Sequence, residues 1–519
     1  MNALVARPVP GRKLLVVPGS GRLAAMIPHS TPLRDGKYLA VPHKQDEVRL
    51  LRNLGFTVPS PIEVEYNWAS GTPFAHQRVT AALLADNKRA YVLNGMGSGK
   101  TRAALYALDY LMRIGEVRKA LIVAPLSTLT TVWEHEVFMA FPHLNTAVLH
   151  GTRAQRIRAL QSDAEIYVIN HDGIHTILAE LTGARDIDCV IIDELAAFRN
   201  ARTRRWKALS KVLQKREYAW GLTGLPTPNA PTDAWAQARL LTPWSVPKFF
   251  KQWQQKTMRQ ITQFKWAPKP DANTLVHQAL QPAVRFATED CIDLPPSTTQ
   301  TLECKLTKPQ QDAYKNMMTM FHIEYASGKI TAANEGVKLS KLMQISAGFI
   351  YDADGKAIYI NNKPRLQLLL EILRETEQKV IVFVPFTAGV RMLHTVLSRV
   401  GISCEMVYGD VPKRERDRIF SDFMRSLNPR VIVAHPATMS HGLTLTAAST
   451  IVWFSLPSSY EIYDQANARI ARPGQKFHTN IIHIVASKVE ARAVRRLESK
   501  QSLQGALLEL FEGEPDGKT

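Results

Sequence analysis

Asn94-Gly-Met-Gly-Ser-Gly-Lys-Thr101 is the stretch on which the reading of this chain turns. It follows a short strand-like run, Tyr91-Val-Leu-Asn94, and opens a segment, Thr101 to Arg113, whose apolar residues recur at helical spacing. A glycine-rich turn between strand and helix lets backbone N–H groups approach a phosphate, and the helix N-terminus behind it adds partial positive charge. In such a loop Gly95, Gly97, Ser98 and Gly99 would line the phosphates and Lys100 would contact the β and γ phosphates of ATP. The Thr101 hydroxyl would hold Mg2+. The pattern G-x-x-x-x-G-K-T has Asn94 where its first glycine is usual. Taken alone, the octapeptide also suits an ordinary glycine-rich turn.

A second, independent signal lies downstream. Cys189-Val-Ile-Ile-Asp-Glu194 is an apolar strand ending in two carboxylates. Asp193 is placed to order Mg2+ through its water shell, and Glu194 to take a proton from an attacking water. Solvated acids at a strand end are common, but a phosphate loop upstream weakens that bland reading.

Working outward, β-branched runs recur along the chain. In the first half they are Tyr91 to Asn94, Ala120 to Ala124, Ile166 to Asn170, Cys189 to Ile192 and Ala219 to Leu222. In the second half they are Val380 to Val384, Cys404 to Tyr408, Val431 to Ala434, Ile451 to Phe454 and Ile481 to Ile484. Continuous apolar runs of this kind suit strands buried on both faces, and the segments between them are long enough for crossover helices. The expected fold class is therefore α/β, with two parallel-sheet lobes in tandem. The expected organisation is a small N-terminal module over 1–70, a first lobe over 71–240, a helical insertion or linker over 241–300, a second lobe over 301–500 and a tail over 501–519. Within the module, Tyr38 to Pro42 reads as a strand and Gln45 to Leu54 as an amphipathic helix.

The chain has 519 residues, with 65 Lys and Arg against 46 Asp and Glu, a formal net charge of +19. That excess favours a polyanionic partner, nucleic acid or an anionic membrane surface. No apolar run approaches the roughly 18 residues of a spanning helix, and the proline-broken N-terminus does not read as a signal peptide. A membrane partner is therefore not expected. The four cysteines, Cys189, Cys291, Cys304 and Cys404, form no CxxC pair, and buried thiols in a reducing compartment are expected.

Further motifs give these parts a family. Thr72-Pro-Phe-Ala-His-Gln77 resembles an adenine-reading Q motif with Gln77 as its glutamine, and Leu121-Ile-Val-Ala-Pro-Leu-Ser127 with Trp133 resembles motif Ia. Asp193-Glu-Leu-Ala196 stands where a DEAH variant is expected, with Ala196 in the last place, and Leu222-Thr-Gly-Leu-Pro-Thr-Pro-Asn229 resembles LTGTPxxN. Leu294-Pro-Pro296, downstream of Pro282 and Arg285, resembles an inter-lobe LPP region. In the second half, Val380 to Pro385 resembles motif IV, and Tyr408-Gly-Asp410 with Arg416 and Phe423 follows a Gly…Arg…Phe spacing. His441-Gly-Leu-Thr-Leu-Thr446 resembles motif V with Thr444 where Asn is usual, and Gln465-Ala-Asn-Ala-Arg-Ile-Ala-Arg-Pro-Gly-Gln475 resembles motif VI. Over residues 70 to 500 the chain is similar to superfamily 2 helicase-type motors, and within them to the Swi/Snf-like ATPases, in a compact form nearer bacterial or bacteriophage members.

The resemblance implies two RecA-like lobes. Gln77 and Gln465 would contact nucleotide. Lys100, Asp193 and Glu194 would act from the first lobe, and Arg469 and Arg472 from the second as arginine fingers on the γ-phosphate. ATP and Mg2+ are the implied cofactors, and duplex DNA the implied track of a DNA-stimulated translocase. Two other readings stay open: a helicase that unwinds DNA or RNA from a single-stranded tail, for which no pin-like hairpin can be read, and a recruitment protein with a degenerate motor, motivated by Asn94, Ala196 and Thr444. Lys248, Lys251, Lys256, Arg259, Lys265 and Lys269 interleave with Phe249, Phe250, Trp253, Phe264 and Trp266, as a nucleic-acid surface or as a solvated face over an aromatic core. The same two readings apply to Arg199, Arg202, Arg204, Arg205 and Lys207. Trp133, Trp453 and His76 read as packing residues. The chain is expected to be a monomer in the cytoplasm, nucleoid-associated or in a phage host, and the N-terminal module is a candidate site for a protein partner.

Overall fold

The computed structural model describes residues 4–9, 11–34, 36–68, 71–228, 230–261, 266–287, 295–326, 332–352, 354–439, 444–472 and 474–499. Asn229, Phe264, Lys265, Cys291, Leu294, His441 to Leu443 and the tail 501–519 therefore lie outside the described residues. The chain divides into two compact units, Met1–Cys291 and Ile292–Thr519.

The first unit is built on a parallel sheet of seven strands: β1 (Arg89–Val92), β2 (Lys119–Ala124), β3 (Thr146–Leu149), β4 (Ile166–Asn170), β5 (Ile187–Asp193), β6 (Tyr218–Leu222) and β7 (Ala283–Val284). They run in the order β7-β1-β6-β5-β2-β4-β3. In register, Ile191 lies opposite Ile122 and Trp220, and all three enter the core on one face. Val190, Ile192, Leu121 and Val123 enter the core on the other face. Burial on both faces is why these strands read as unbroken apolar runs.

The strand order has a functional consequence. β1, β6 and β5 are consecutive neighbours and parallel, so the loops leaving their C-terminal ends emerge side by side. Those loops begin at Leu93, Thr223 and Glu194. In open parallel sheets, ligands bind at such a row of loops.

The region 241–300 is not purely helical. It holds the helices Phe250–Thr257 and Ala272–Ala279 and an antiparallel pair, Met258–Gln260 with Trp266–Pro268. It then returns to the first sheet as β7, beside β1, with Ala283 opposite Tyr91 and Val284 opposite Val92. The N-terminal module is a four-stranded antiparallel sheet, Arg7–Pro8, Leu14–Pro18, Tyr38–Pro42 and Thr31–Leu33 in spatial order, covered by the helix Gln45–Asn53. Arg52 of that helix donates to the Asp86 carboxylate at 2.7 Å, and the Ser60 hydroxyl donates to the same group at 2.8 Å. Asp86 ends helix α1 (Ala75–Asp86), so the module is fastened to the helix that carries Gln77.

The second unit has a six-stranded parallel sheet: β8 (Ser297–Glu303), β9 (Lys379–Phe383), β10 (Cys404–Val407), β11 (Val431–Ala434), β12 (Ala448–Trp453) and β13 (Thr479–Val485). Their order is β8-β13-β12-β9-β11-β10. β8 pairs with β13 along its whole length, yet it is polar and almost wholly exposed. A short hairpin, Phe349–Tyr351 with Ala357–Tyr359, is present, rooted by the buried Phe349. Among the described residues no helix is long and apolar enough to cross a membrane.

Candidate active site

The loop after β1 is shaped by two left-handed glycines. Gly97 has φ 75° and Gly99 has φ 72°, a region costly for residues with a Cβ. A Cβ at Gly99 would also lie 2.2 Å from Gln77 Nε2, so that side-chain amide would have to move aside. Gly99 caps helix α2 (Lys100–Arg113) directly. The buried Ser98 donates from Oγ to the Gly95 carbonyl at 2.8 Å and draws the loop closed. Lys100 Nζ donates to the carbonyls of Asn94 and Gly95 at 3.0 and 2.9 Å, so its ammonium lies against the loop. Thr101, the next residue of the helix, is partly exposed.

Helix α1 braces this loop. Gln77 Oε1 accepts from the Phe74 amide at 3.0 Å, which closes the N-terminus of α1, while Nε2 reaches the Gly99 carbonyl at 3.5 Å. His76, a packing residue in the sequence reading, is buried and also braces the loop. Its Nε2 donates to the Ser98 carbonyl at 2.7 Å, and its ring stacks on Phe74 and meets the edge of Phe286. Asn94 has a structural role of its own. It is 1% exposed; its amide donates to Thr80 Oγ1 at 3.0 Å and its carbonyl accepts from the Phe286 amide at 3.0 Å. The Gly95 amide in turn donates to the Phe286 carbonyl at 2.8 Å. The departure from glycine thus ties the loop both to α1 and to the segment that follows β7.

The acid pair sits at the end of β5, two strands away. Asp193 Oδ2 accepts from Trp133 Nε1 at 2.9 Å and Oδ1 from the Glu194 amide at 3.0 Å. Burial pushes the Asp193 carboxyl above its ordinary value, and the Trp133 bond, the Lys100 ammonium and the Glu194 amide each pull it back down. That influence of Lys100 places the loop lysine and this carboxylate in one electrostatic site. Glu194 turns the chain with φ 53° and ψ 56°, a left-handed conformation that a non-glycine residue adopts at a cost of about 1–2 kcal/mol. Strain held at a strand end beside a glycine-rich loop is characteristic of functional positions. Glu194 Oε1 accepts from Thr223 Oγ1 at 3.2 Å, and the Asp193 carbonyl accepts from His171 Nε2 at 2.9 Å. Gly224 is close to the loop too, with a Cβ position 3.5 Å from the Asn94 carbonyl and 3.8 Å from Lys100 Nζ.

In the second unit the two arginines follow the helix Tyr460–Asn467, which carries the buried Gln465. Arg469 is 3% exposed and donates from Nε to the Gln465 carbonyl at 2.9 Å. Arg472 donates from Nε to the Ala468 carbonyl at 3.0 Å and from Nη1 to Thr444 Oγ1 at 3.3 Å. Burial pulls its guanidinium down to about 10. Thr444, the departure in motif V, therefore holds Arg472. Gln475 bonds the carbonyls of Ala448 and Ile470 at 2.8 and 3.0 Å and anchors the turn after the arginines. Trp453 is fully buried with Nε1 on Asn467 Oδ1 at 2.9 Å, a core residue, as read.

The first unit thus brings together Gln77, Gly95, Gly97, Ser98, Gly99, Lys100, Asp193 and Glu194, and the second brings together Gln465, Arg469 and Arg472. The donors fit a nucleoside triphosphate with Mg2+. A hydroxyl at Thr101 and a single carboxylate at Asp193 are hard oxygen ligands of the kind a phosphate-bound, largely hydrated Mg2+ takes. Of the basic surfaces, Arg202, Arg204 and Lys207 are exposed, Arg205 lies 3.9 Å from Asp172, and Arg199 donates to the Ala196 carbonyl at 3.3 Å.

The chain is similar to known proteins over most of its length. A family model of the SNF2-related domain matches residues 76–349, and one of the helicase conserved C-terminal domain matches residues 364–474. The chain is 27% identical to protein p41 of Acyrthosiphon pisum secondary endosymbiont phage 1, over 84% of this chain and 98% of that protein. It is 24% identical to the nuclear protein STH1/NPS1 of Saccharomyces cerevisiae, over 80% of this chain and 33% of that protein. Against the yeast relative, then, it spans about a third of the length. A solved structure, the SWI2/SNF2 ATPase core of Sulfolobus solfataricus in complex with dsDNA, is 21% identical over 85% of this chain and 94% of that one, with a TM-score of 0.41.

Proposed function

The chain belongs to the SNF2-related family, and from that premise we propose that it is an ATP-driven motor that moves along duplex DNA and thereby remodels DNA or DNA–protein complexes. The observation that carries the reading is the row of loops after β1, β6 and β5, where Lys100, Thr223, Asp193 and Glu194 converge. Lys100 would leave the loop carbonyls for the β and γ phosphates. Thr101 and Asp193 would hold Mg2+, which neutralises phosphate charge when bound. Glu194, steadied by the Thr223 hydroxyl, would accept a proton from the attacking water.

Arg469 and Arg472 belong to the other unit, so turnover would require closure of one lobe on the other and product release would allow reopening. Cycles of closure along a gripped duplex give directional movement. The net charge of +19 supports a polyanionic track. In this reading the protein works as a monomer in a bacterial cytoplasm, with the N-terminal module free to take a protein partner. Tail-dependent unwinding is the second reading, and the hairpin Phe349–Tyr351 with Ala357–Tyr359 is the feature that keeps it as an outcome of the test.

The test is the ATPase rate with no nucleic acid, single-stranded DNA, blunt duplex DNA or RNA, with Glu194→Gln as the inactive control. Stimulation by blunt duplex is expected. Stimulation confined to single strands or RNA would replace the duplex motor with the unwinding helicase.

A further inference from the structure

Three aromatic rings stand out in solvent on the first unit. Trp244 is 72% exposed, Phe249 61% and Phe250 42%, while Trp253 of the same segment is 2% exposed. The exposure is not that of a loose loop. Leu241 and Val246 are buried on either side of Trp244. Between them Thr242 and Ser245 donate to the Ala279 carbonyl at 3.2 and 2.7 Å, and Thr242 is also bonded to the Tyr91 hydroxyl at 2.7 Å. Trp235 Nε1 donates to the Pro247 carbonyl at 2.8 Å and its ring meets the edge of Phe250 at 5.5 Å. The backbone is pinned and the rings are held outward. Apolar surface displayed in this way marks an interaction site rather than incidental exposure.

The charge around the rings selects the partner. No Asp or Glu occurs between Asp233 and Asp271, while Lys248, Lys251, Lys256 and Arg259 are all exposed. The Lys248 ammonium lies 5.7 Å from the centre of the Phe249 ring. Cations alone would suit the phosphates of any duplex. A duplex hides its base faces, however, and offers nothing for exposed rings to stack on. Unpaired bases offer both a phosphate chain and π-faces.

We propose that Trp244, Phe249 and Phe250 form a stacking platform for the unpaired bases of single-stranded DNA adjoining the duplex. The motor would then meet DNA at a junction, with the duplex as track and the open strand on the platform. This rests on the DNA-motor reading and adds to it a preference for duplexes that carry an unpaired segment.

The test is fluorescence anisotropy of the full chain with labelled DNA. One probe is a duplex with a tail of roughly ten thymidines, within the site sizes of aromatic strand-binding surfaces. The second carries an abasic tail with the same phosphates, and the third is blunt. Wild type should bind the thymidine tail about fivefold or more tighter than the abasic tail, as expected for stacking of at least one base. Trp244→Ala/Phe249→Ala should bind the two tails equally, with blunt-duplex affinity unchanged, which also reports an intact fold. Equal binding of both tails by wild type, or a preference that survives the double substitution, would overturn the platform. The ATPase response to blunt duplex is read in parallel. Its absence with the tail preference intact would overturn the motor reading alone.

Discussion

Trp133→Phe tests whether the acid at the end of β5 is held by the core. The indole Nε1 is 2.9 Å from Asp193 Oδ2, while the other carboxylate oxygen has the Glu194 amide at 3.0 Å. Phenylalanine keeps a ring in the same apolar cluster, beside Val137 and Phe141, and removes only the donor and part of the volume. A hydrogen bond to a charged group contributes about 1.5–3 kcal/mol, or about 10- to 150-fold in an equilibrium. The kcat/KM for Mg–ATP should fall by about that factor if Trp133 positions Asp193. A merely structural loss would weaken nucleotide binding with and without the metal. The informative assay is therefore affinity for a fluorescent ATP analogue measured with Mg2+ and with EDTA. The expected result is a smaller gain from Mg2+ in Trp133→Phe with metal-free affinity unchanged. An unchanged gain from Mg2+ would refute the positioning role.

Three further outcomes follow from the packing. Asn94→Gly restores the usual phosphate-loop residue, yet it should destabilise the first unit by about 1–2 kcal/mol, because it strips the half-buried Phe286 amide of its acceptor; denaturant unfolding checks this, and wild-type stability in the variant would contradict it. His483 is buried and held neutral, down at about 4 from an ordinary 6.5. The unfolded chain then binds the extra proton first, so stability is full above the ordinary value and is lost as pH falls through the interval, by about 3 kcal/mol in all. Unfolding curves across that interval should be flatter in acid for His483→Gln. Arg365 is buried with Glu490 at 2.7 Å and also donates to the carbonyls of Phe454 and Ile484. Arg365→Ala strands a buried carboxylate and should cost about 3–5 kcal/mol, with much of it recovered in Arg365→Met/Glu490→Leu by a double-mutant cycle.

Nine of the ten strands legible in the sequence lie inside their sheets, where burial on both faces leaves only apolar side chains, as at Val190 to Ile192; the tenth, β10, is an edge strand whose residues are still largely apolar. β3, β7 and β8 could not be read, and all three lie at sheet edges. β8 spells Ser-Thr-Thr-Gln-Thr-Leu-Glu and shows no apolar face at all, and β7 is held by backbone pairing to β1 rather than by any side-chain pattern. The candidate site residues were legible because glycine, lysine and paired acids have few other reasons to occur at those spacings. Their supports were not. Trp133 and His76 read as packing residues because periodicity reports that a residue is buried, not where the polar edge of its ring points. Asn94 and Thr444 looked like departures from a pattern, and each proves to hold a neighbour: Phe286 in one case and Arg472 in the other.

The central claim is ATP-driven movement on duplex DNA, and displacement of a third strand from a triplex on a fully paired duplex measures it most directly. Wild type should release the third strand only when ATP and Mg2+ are supplied, leave the duplex paired, and lose the activity in Glu194→Gln. Retention of the third strand under conditions where ATP is hydrolysed, or release that requires opening of the duplex, would contradict the account.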